Sequence, residues 1–238
     1  MPMNGERQPK REPHDRTAML RAHPFFKGLT PAIVDELAPR AVTRALRRGA
    51  VLFRKGDQGS SFYLLISGAV RIDAPSESGR GAILNLITPG EIFGEIAALD
   101  GSVRTADAVA VEPSELMVID KREFIPVLRK YPELAVRFIE ILCGRIRRTS
   151  EQVEDIVFLD LGGRLAKVLL FLHQKAAADP SQAKVRITQR EISQIVGASR
   201  ESTNKQLRQW ERKKLLQIER GAVVVLRPEA LADCIASE

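Results

Sequence analysis

Apolar and polar residues follow one another in short runs from about Phe25 to Phe124. VLF (51–53), FYLLI (62–66), AVRI (69–72), AILNLI (82–87), ADAVAV (106–111) and ELMVID (115–120) are separated by turn signals such as Lys55-Gly56-Asp57-Gln58-Gly59, Ser67-Gly68 and Thr88-Pro89-Gly90. Runs this short, with glycine punctuation this regular, predict strands of a sandwich or barrel-like roll rather than a parallel sheet. Ahead of them, TPAIVDELAPR predicts a short helix with Thr30 as its N-cap and Pro31 next.

The period changes after Pro132. Phe138, Leu142, Ile146, Val153 and Ile156 fall on one stripe, interrupted by Arg145 and Thr149. Their three-and-four spacing is that of a coiled-coil seam and predicts a long helix over 132–160 that pairs with its own copy in a parallel dimer. Asp160-Leu161-Gly162-Gly163 is expected to break that helix, because two adjacent glycines disfavour a helix interior by roughly 1 kcal/mol each. Asp160 then caps the next helix, GRLAKVLLFLHQKAAA, which Pro180-Ser181 closes.

From 185 to 226 the pattern is helix, glycine turn, helix, hairpin. TQREISQIV opens on the capping box Thr188/Glu191, turns at Gly197-Ala198, and leads to SRESTNKQLRQWERKKL, with Ser199 and Ser202 as a weaker cap pair. Helical phasing turns Ile192, Ile195, Val196, Leu207 and Trp210 inward and leaves Arg200, Glu201 and Lys205 outward near the second helix's N-terminus. QIERGAVVVL reads as a hairpin turning at Arg220-Gly221, a small wing. This is the winged helix-turn-helix arrangement. The fold class is therefore α+β: a disordered tail (1–20), a jelly-roll-like β-roll (21–131), a dimerisation helix (132–160) and a winged helix-turn-helix (161–238).

Charge sharpens the picture. The 238 residues carry a net charge of +7. Residues 161–238 hold fourteen Lys and Arg against eight Asp and Glu, while the first 160 hold 23 against 22. The excess positive charge sits on the helix-turn-helix, where a nucleic acid would be met. No apolar run approaches the roughly 18–20 residues of a membrane span, and MPMNGERQPKREPHDR lacks the apolar core of a secretory signal. Cys143 and Cys234 are far apart, which argues against a disulfide framework or thiolate cluster and for the cytoplasm.

The candidate chemistry lies in FGEIAALDGSVRTA (93–106). Glu95 and Arg104 flank a small apolar run bounded by two glycines. One reading is a surface ion pair around a strand–turn–strand. The other is a short helix whose first amides, with Arg104, hold a phosphate while Glu95 faces a sugar hydroxyl. No phosphate-loop lysine motif and no nucleophile or zinc context appears, so no enzyme is expected. An iron–sulfur cluster needs about four thiolates. A haem needs an axial ligand in the roll, whereas His14 and His23 precede it and His173 follows it.

Three segments together carry a likeness: FGEIAALDGSVRTA, TSEQVEDIVFLDLGGRLAKVLL and ITQREISQIVGASRESTNKQL. From about Phe25 through Val225 the chain resembles the cyclic AMP receptor protein branch of the bacterial Crp/Fnr regulators. The resemblance implies a cyclic-nucleotide-binding roll in which Gly94, Glu95, Ile96 and Ala97 open a short helix onto the cyclic phosphate. Arg104 would pair with the phosphate oxygens, Glu95 would accept from the ribose 2′-hydroxyl, and Thr105 would reach the phosphate or a base edge. Thr149 and Ser150 match a Thr-Ser pair that meets the purine from one subunit's helix and from its partner's. Gly162-Gly163 would act as the hinge that resets two reading heads to a spacing of roughly 34 Å.

The same resemblance makes Arg200 a reader of guanine, Glu201 an acceptor from cytosine, and Lys205 the third reader, a departure from the family's arginine. Asn204 replaces a common glycine and adds a base contact; Ser199, Thr203, Gln206 and Arg208 are expected on phosphates. A palindromic operator with TGTGA-like half-sites and RNA polymerase are the implied partners, with no membrane partner. Cyclic AMP is the favoured effector, with cyclic GMP or an effector-independent regulator as alternatives, and no metal, haem or cluster is expected.

Overall fold

In the computed structural model, which describes residues 13–75, 81–177 and 187–236, the short runs become eight strands in two four-stranded sheets. In chain order these are β1 (Val42–Leu46), β2 (Val51–Phe53), β3 (Ser61–Ser67), β4 (Val70–Ala74), β5 (Ala82–Ile87), β6 (Ile92–Phe93), β7 (Asp107–Ala110) and β8 (Ser114–Asp120). One sheet runs β1-β8-β3-β6 and the other β2-β7-β4-β5. The β1–β8, β3–β8, β3–β6, β2–β7 and β4–β7 pairs are antiparallel. Leu52, Leu65, Val70, Phe93, Ala108 and Leu116 fill the space between the sheets.

Strand β3 shows why FYLLI is a continuous apolar run rather than an alternating one. Tyr63 and Leu65 join the core between the sheets, while Phe62 and Leu64 enter a second core under the helices. A strand buried on both faces has no polar positions to alternate with.

That second core is built by α1 (Pro13–Ala22), α2 (Pro31–Leu37), α4 (Lys121–Lys130) and the start of α5 (Pro132–Phe158), with α3 (Glu95–Asp100) lying between β6 and β7. Helix α1 corrects the expectation of a disordered tail over 1–20. Residues 13–20 are helical, Leu20 is fully buried, and the Arg16 guanidinium donates to the Ala41 carbonyl at 2.6 Å. Residues 1–12 lie outside the described set. Thr30 does sit at the N-cap of α2, but its hydroxyl donates to Glu133 at 2.9 Å and leaves the helix amides alone. Helix α4 was missed in the strand-rich reading; Asp120 caps it by accepting from the Arg122 amide.

His23 is buried on the turn that follows α1. Its Nδ1 accepts the Phe25 N–H at 3.3 Å, and its Nε2 closes no hydrogen bond. Burial pushes its pKa down to about 4, only partly offset by the nearby Leu65 carbonyl. The folded state therefore keeps this imidazole neutral while the unfolded chain takes up a proton below about 6.5. Stability from this group is complete above pH 6.5 and is lost as pH falls towards 4, by at most about 3 kcal/mol. Urea denaturation of the wild type against His23→Gln at pH 7, 6, 5 and 4 checks this: the gap between the two proteins should narrow as pH falls. A constant gap would reject it.

The chain divides into two compact units inside α5, between Leu142 and Cys143. The roll's unit thus extends past the expected boundary at 131, because Leu134 and Phe138 belong to its core. This also corrects the seam. Phe138 is 3% exposed and packs edge-on against Phe25, Phe62 and Phe124. The stripe that α5 leaves exposed is Val136, Ile139, Cys143, Ile146, Ser150, Val153 and Val157, an unbroken three-four repeat.

The second unit contains α6 (Leu161–Ala177), α7 (Gln189–Ile195), α8 (Arg200–Arg212), the hairpin β9 (Leu216–Glu219) and β10 (Ala222–Val225), and α9 (Pro228–Ala236). The break between α5 and α6 falls at Leu159-Asp160, ahead of the expected glycines. Gly162 and Gly163 lie in the first turn of α6, where Asp160 Oδ1 accepts the Gly163 N–H at 2.7 Å. Capping suffices to end one helix and start the next. The expected stop at Pro180-Ser181 lies outside the described residues. Leu165, Leu169, Ile192, Leu207, Trp210 and Leu231 are central to this unit's core, and Leu231 comes from α9, which the sequence pattern had not revealed.

Candidate functional site

Glu95 and Arg104 are both buried, at 2% and 3% exposure, which rules out the solvated ion pair. The backbone places them. Strand β6 is followed by Gly94, whose φ of +78° reverses the chain into α3. A Cβ there would sit 2.7 Å from the Tyr63 ring and 2.9 Å from Arg104 Nη1, so only glycine fits. In α3, Glu95, Ala97 and Ala98 face inward, while Ile96 and Leu99 face out. Gly101 ends the helix. Arg104 is then held by its own backbone: its N–H donates to Asp57 O at 2.8 Å and its carbonyl accepts from Gly56 N–H at 2.9 Å. Thr105, the next residue, is exposed.

The Arg104 side chain has unusual company. Nη1 donates to Gly94 O at 2.6 Å and Nη2 to Ser61 O at 3.1 Å, with the Tyr63 hydroxyl at 3.5 Å. Its carbon lies 4.4 Å from the centroid of Phe53 and 5.3 Å from that of Tyr63. Nε is buried and unpartnered, and among the described residues no carboxylate pairs with this guanidinium. Gly59 permits the arrangement. A Cβ there would stand 2.5 Å from Nε and 2.8 Å from the Ala97 methyl. A buried charge held only by carbonyl dipoles and ring faces is a strong demand for an anion. Gly59, Phe53 and Tyr63 were missed by sequence reasoning, which read them as one turn glycine and two strand residues.

Thr149 and Ser150 are exposed on α5, in the part that belongs to the second unit. In that unit the capping box is complete: Thr188 Oγ1 accepts the Glu191 N–H at 3.2 Å, and Glu191 accepts the Thr188 N–H at 2.8 Å. Ser199 caps α8 by accepting the Ser202 N–H at 3.0 Å. Ile192, Val196, Leu207 and Trp210 are buried and Ile195 packs against them. Arg200, Glu201 and Lys205 are exposed on the first turns of α8, with Ser199 beside them and Asn204 and Gln206 half-buried. The hairpin pairs Ala222 with Glu219 across Arg220-Gly221. Glu211 ties it to α8, accepting from Ile218 N–H at 3.0 Å and from Arg208 at 2.7 Å.

One of the expected phosphate contacts changes. Thr203 is 0% exposed, so its hydroxyl cannot meet a phosphate; it points into the core and has no hydrogen-bond partner. Arg208 stays exposed, as a phosphate contact requires, with its guanidinium 2.7 Å from Glu211. A buried hydroxyl without a partner is destabilising. Thr203→Val should therefore raise stability by about 1 kcal/mol and leave DNA affinity unchanged; thermal melts and fluorescence anisotropy on duplex DNA check both. A tenfold loss of DNA affinity would return Thr203 to the interface.

Among the described residues no three His, Cys, Asp or Glu side chains gather to hold a metal, and no helix is long and apolar enough to cross a membrane. Residues 43–131 match the cyclic nucleotide-binding domain, and residues 163–234 match the Crp-like helix-turn-helix domain. The chain is 31% identical over 212 residues to the CRP-like cAMP-activated global transcriptional regulator of Mycobacterium tuberculosis, covering 87% of this chain and 94% of that one. It is 31% identical over 217 residues to the cyclic AMP receptor protein of Thermus thermophilus, covering 91% and 98%. A solved CRP-family transcriptional regulator from Thermus thermophilus superposes with a TM-score of 0.70 at 26% identity, covering 82% of this chain and 97% of that one. A cyclic nucleotide-binding domain and a DNA-binding domain thus follow each other over the length of these regulators, and the chain belongs to the Crp/Fnr family of transcriptional regulators.

Proposed function

We propose that this chain is a homodimeric, sequence-specific transcriptional regulator of the cytoplasm, switched allosterically by cyclic AMP. The observation that carries the effector assignment is Arg104, a buried guanidinium with no carboxylate partner among the described residues. A cyclic phosphate supplies the missing charge, and Arg104 is the residue that would hold it. Glu95 would take the ribose 2′-hydroxyl, the amides of Ile96 and Ala97 and the Thr105 hydroxyl would take further oxygens, and Thr149 and Ser150 keep the purine contacts that the resemblance gives them. The names of the two relatives favour cyclic AMP over cyclic GMP.

The exposed repeat on α5 supports self-association, because apolar residues at three-four spacing along an exposed helix face have the pattern of a coiled-coil seam. Arg200, Glu201 and Lys205, exposed together, support readout of a TGTGA-like palindrome, with Ser199, Gln206 and Arg208 on phosphates and Asn204 beside the bases. A ligand shifts such a dimer only through unequal affinity for its two arrangements. RNA polymerase is the further partner through which bound regulator would act.

Thermal shift with cyclic AMP, cyclic GMP and buffer, followed by gel shift on a TGTGA palindrome, tests the reading. A rise in melting temperature with cyclic AMP and a nucleotide-dependent shift are expected. An equal DNA shift with and without nucleotide would identify an effector-independent regulator instead.

A further inference from the structure

The geometry points to Phe53 as a positioning residue for the effector: its ring, with that of Tyr63, holds the Arg104 guanidinium in the orientation that meets the phosphate. This inference rests on the cyclic-nucleotide reading of Arg104 given above.

Three observations carry it. First, Arg104 is the buried cation of the roll and no carboxylate orients it among the described residues. Two carbonyls fix its Nη1 and Nη2 ends, and the plane is set by the Phe53 face at 4.4 Å and the Tyr63 ring at 5.3 Å. Both rings are inside the roughly 6 Å at which a cation over an aromatic face is attracted. Using ring faces in place of a carboxylate leaves the positive charge uncancelled for an incoming anion.

Second, the strand is distorted where it delivers Phe53. Residues two apart on a regular strand share a face, and Val51 is solvent-exposed. The β2–β7 register shifts between Val51 and Phe53, pairing Val51 with Val109 but Phe53 with Ala108. Such a bulge re-aims a side chain, and here the re-aimed ring lies over Arg104. Third, Phe53 is only half-buried, with its neighbouring rings at 5.6 Å (Tyr63) and 6.4 Å (Phe93). The guanidinium carbon, at 4.4 Å, lies nearer its centroid than the centre of either ring does.

The test pairs affinity with a direct view of the guanidinium. Calorimetric titration with cyclic AMP is expected to give about tenfold weaker binding for Phe53→Leu, and binding within about twofold of wild type for Phe53→Tyr, which keeps the ring. In nucleotide-free, nitrogen-15-labelled protein, the Arg104 Nε–H signal, identified by its loss in Arg104→Ala, should shift in Phe53→Leu and return in Phe53→Tyr. A merely structural role would move the melting temperature and leave the affinity for cyclic AMP in place. Unchanged affinity or an unchanged signal in Phe53→Leu overturns the inference. Failure of the wild type to bind cyclic AMP or cyclic GMP overturns the effector reading instead, and the Nε–H signal still decides whether Phe53 holds the guanidinium.

Discussion

Arg104→Ala should lose at least about 30-fold in affinity for cyclic nucleotide while the roll stays folded. The affinity estimate follows from removing one side of a buried, hydrogen-bonded charge pair, which costs about 2–5 kcal/mol. The fold should survive because the segment is fixed by main-chain bonds, Arg104 N–H to Asp57 O and Gly56 N–H to Arg104 O, which alanine keeps. Two side-chain hydrogen bonds to the Gly94 and Ser61 carbonyls are lost, but so is a buried charge without a counter-ion. These effects oppose each other, and melting should move little. Calorimetry and thermal melts on the two proteins measure both quantities. Wild-type affinity in Arg104→Ala would remove the basis for placing the phosphate at this residue.

Phe138→Ala should destabilise the protein by about 3–5 kcal/mol without impairing self-association. Its ring meets Phe25, Phe62 and Phe124 within 5.7 Å, so truncation opens a void in an aromatic cluster that cannot easily close. Ile146→Glu should do the reverse. Ile146 is 66% exposed, and a charge there disturbs nothing in its own unit but obstructs a paired helix. Denaturant titration and sedimentation on both variants separate the roles. If Phe138→Ala yields a stable monomer, the residue belongs on the seam after all.

Much of the fold was legible because its signals are local. The capping box at Thr188, the cap at Ser199, the glycine turns and the inward positions of α7 and α8 all lie within a few residues of their effects. The strand runs were legible for the same reason, including FYLLI, whose unbroken apolar character reflects two buried faces. The misreadings occurred where distant packing decides. Helix α5 carries two overlapping periodic sets, one through Leu134 and Phe138 and one through Ile139 and Ile146, and only the rest of the roll shows which faces inward. Thr203 sits in a polar stretch, yet the phase of α8 against Leu207 and Trp210 turns it into the core.

At the ligand site, Gly94, Glu95 and Arg104 stood out because they cluster within twelve residues. Phe53 and Gly59 did not, because their importance comes from a bulge and a close approach to a residue over forty positions away in the chain. No local composition encodes that. Residues 13–20 looked like a tail because charge surrounds a few apolar positions. Burial of Leu20 makes the helix stay.

Where the roll truly ends bears on how it can be isolated. A piece cut at residue 131, where the strand-rich pattern stops, would strip Leu134 and Phe138 from their aromatic neighbours and bare one side of β3. Carrying the cut to Leu142 retains both residues, and the sensing half then brings its own lid for the strand that both its layers share.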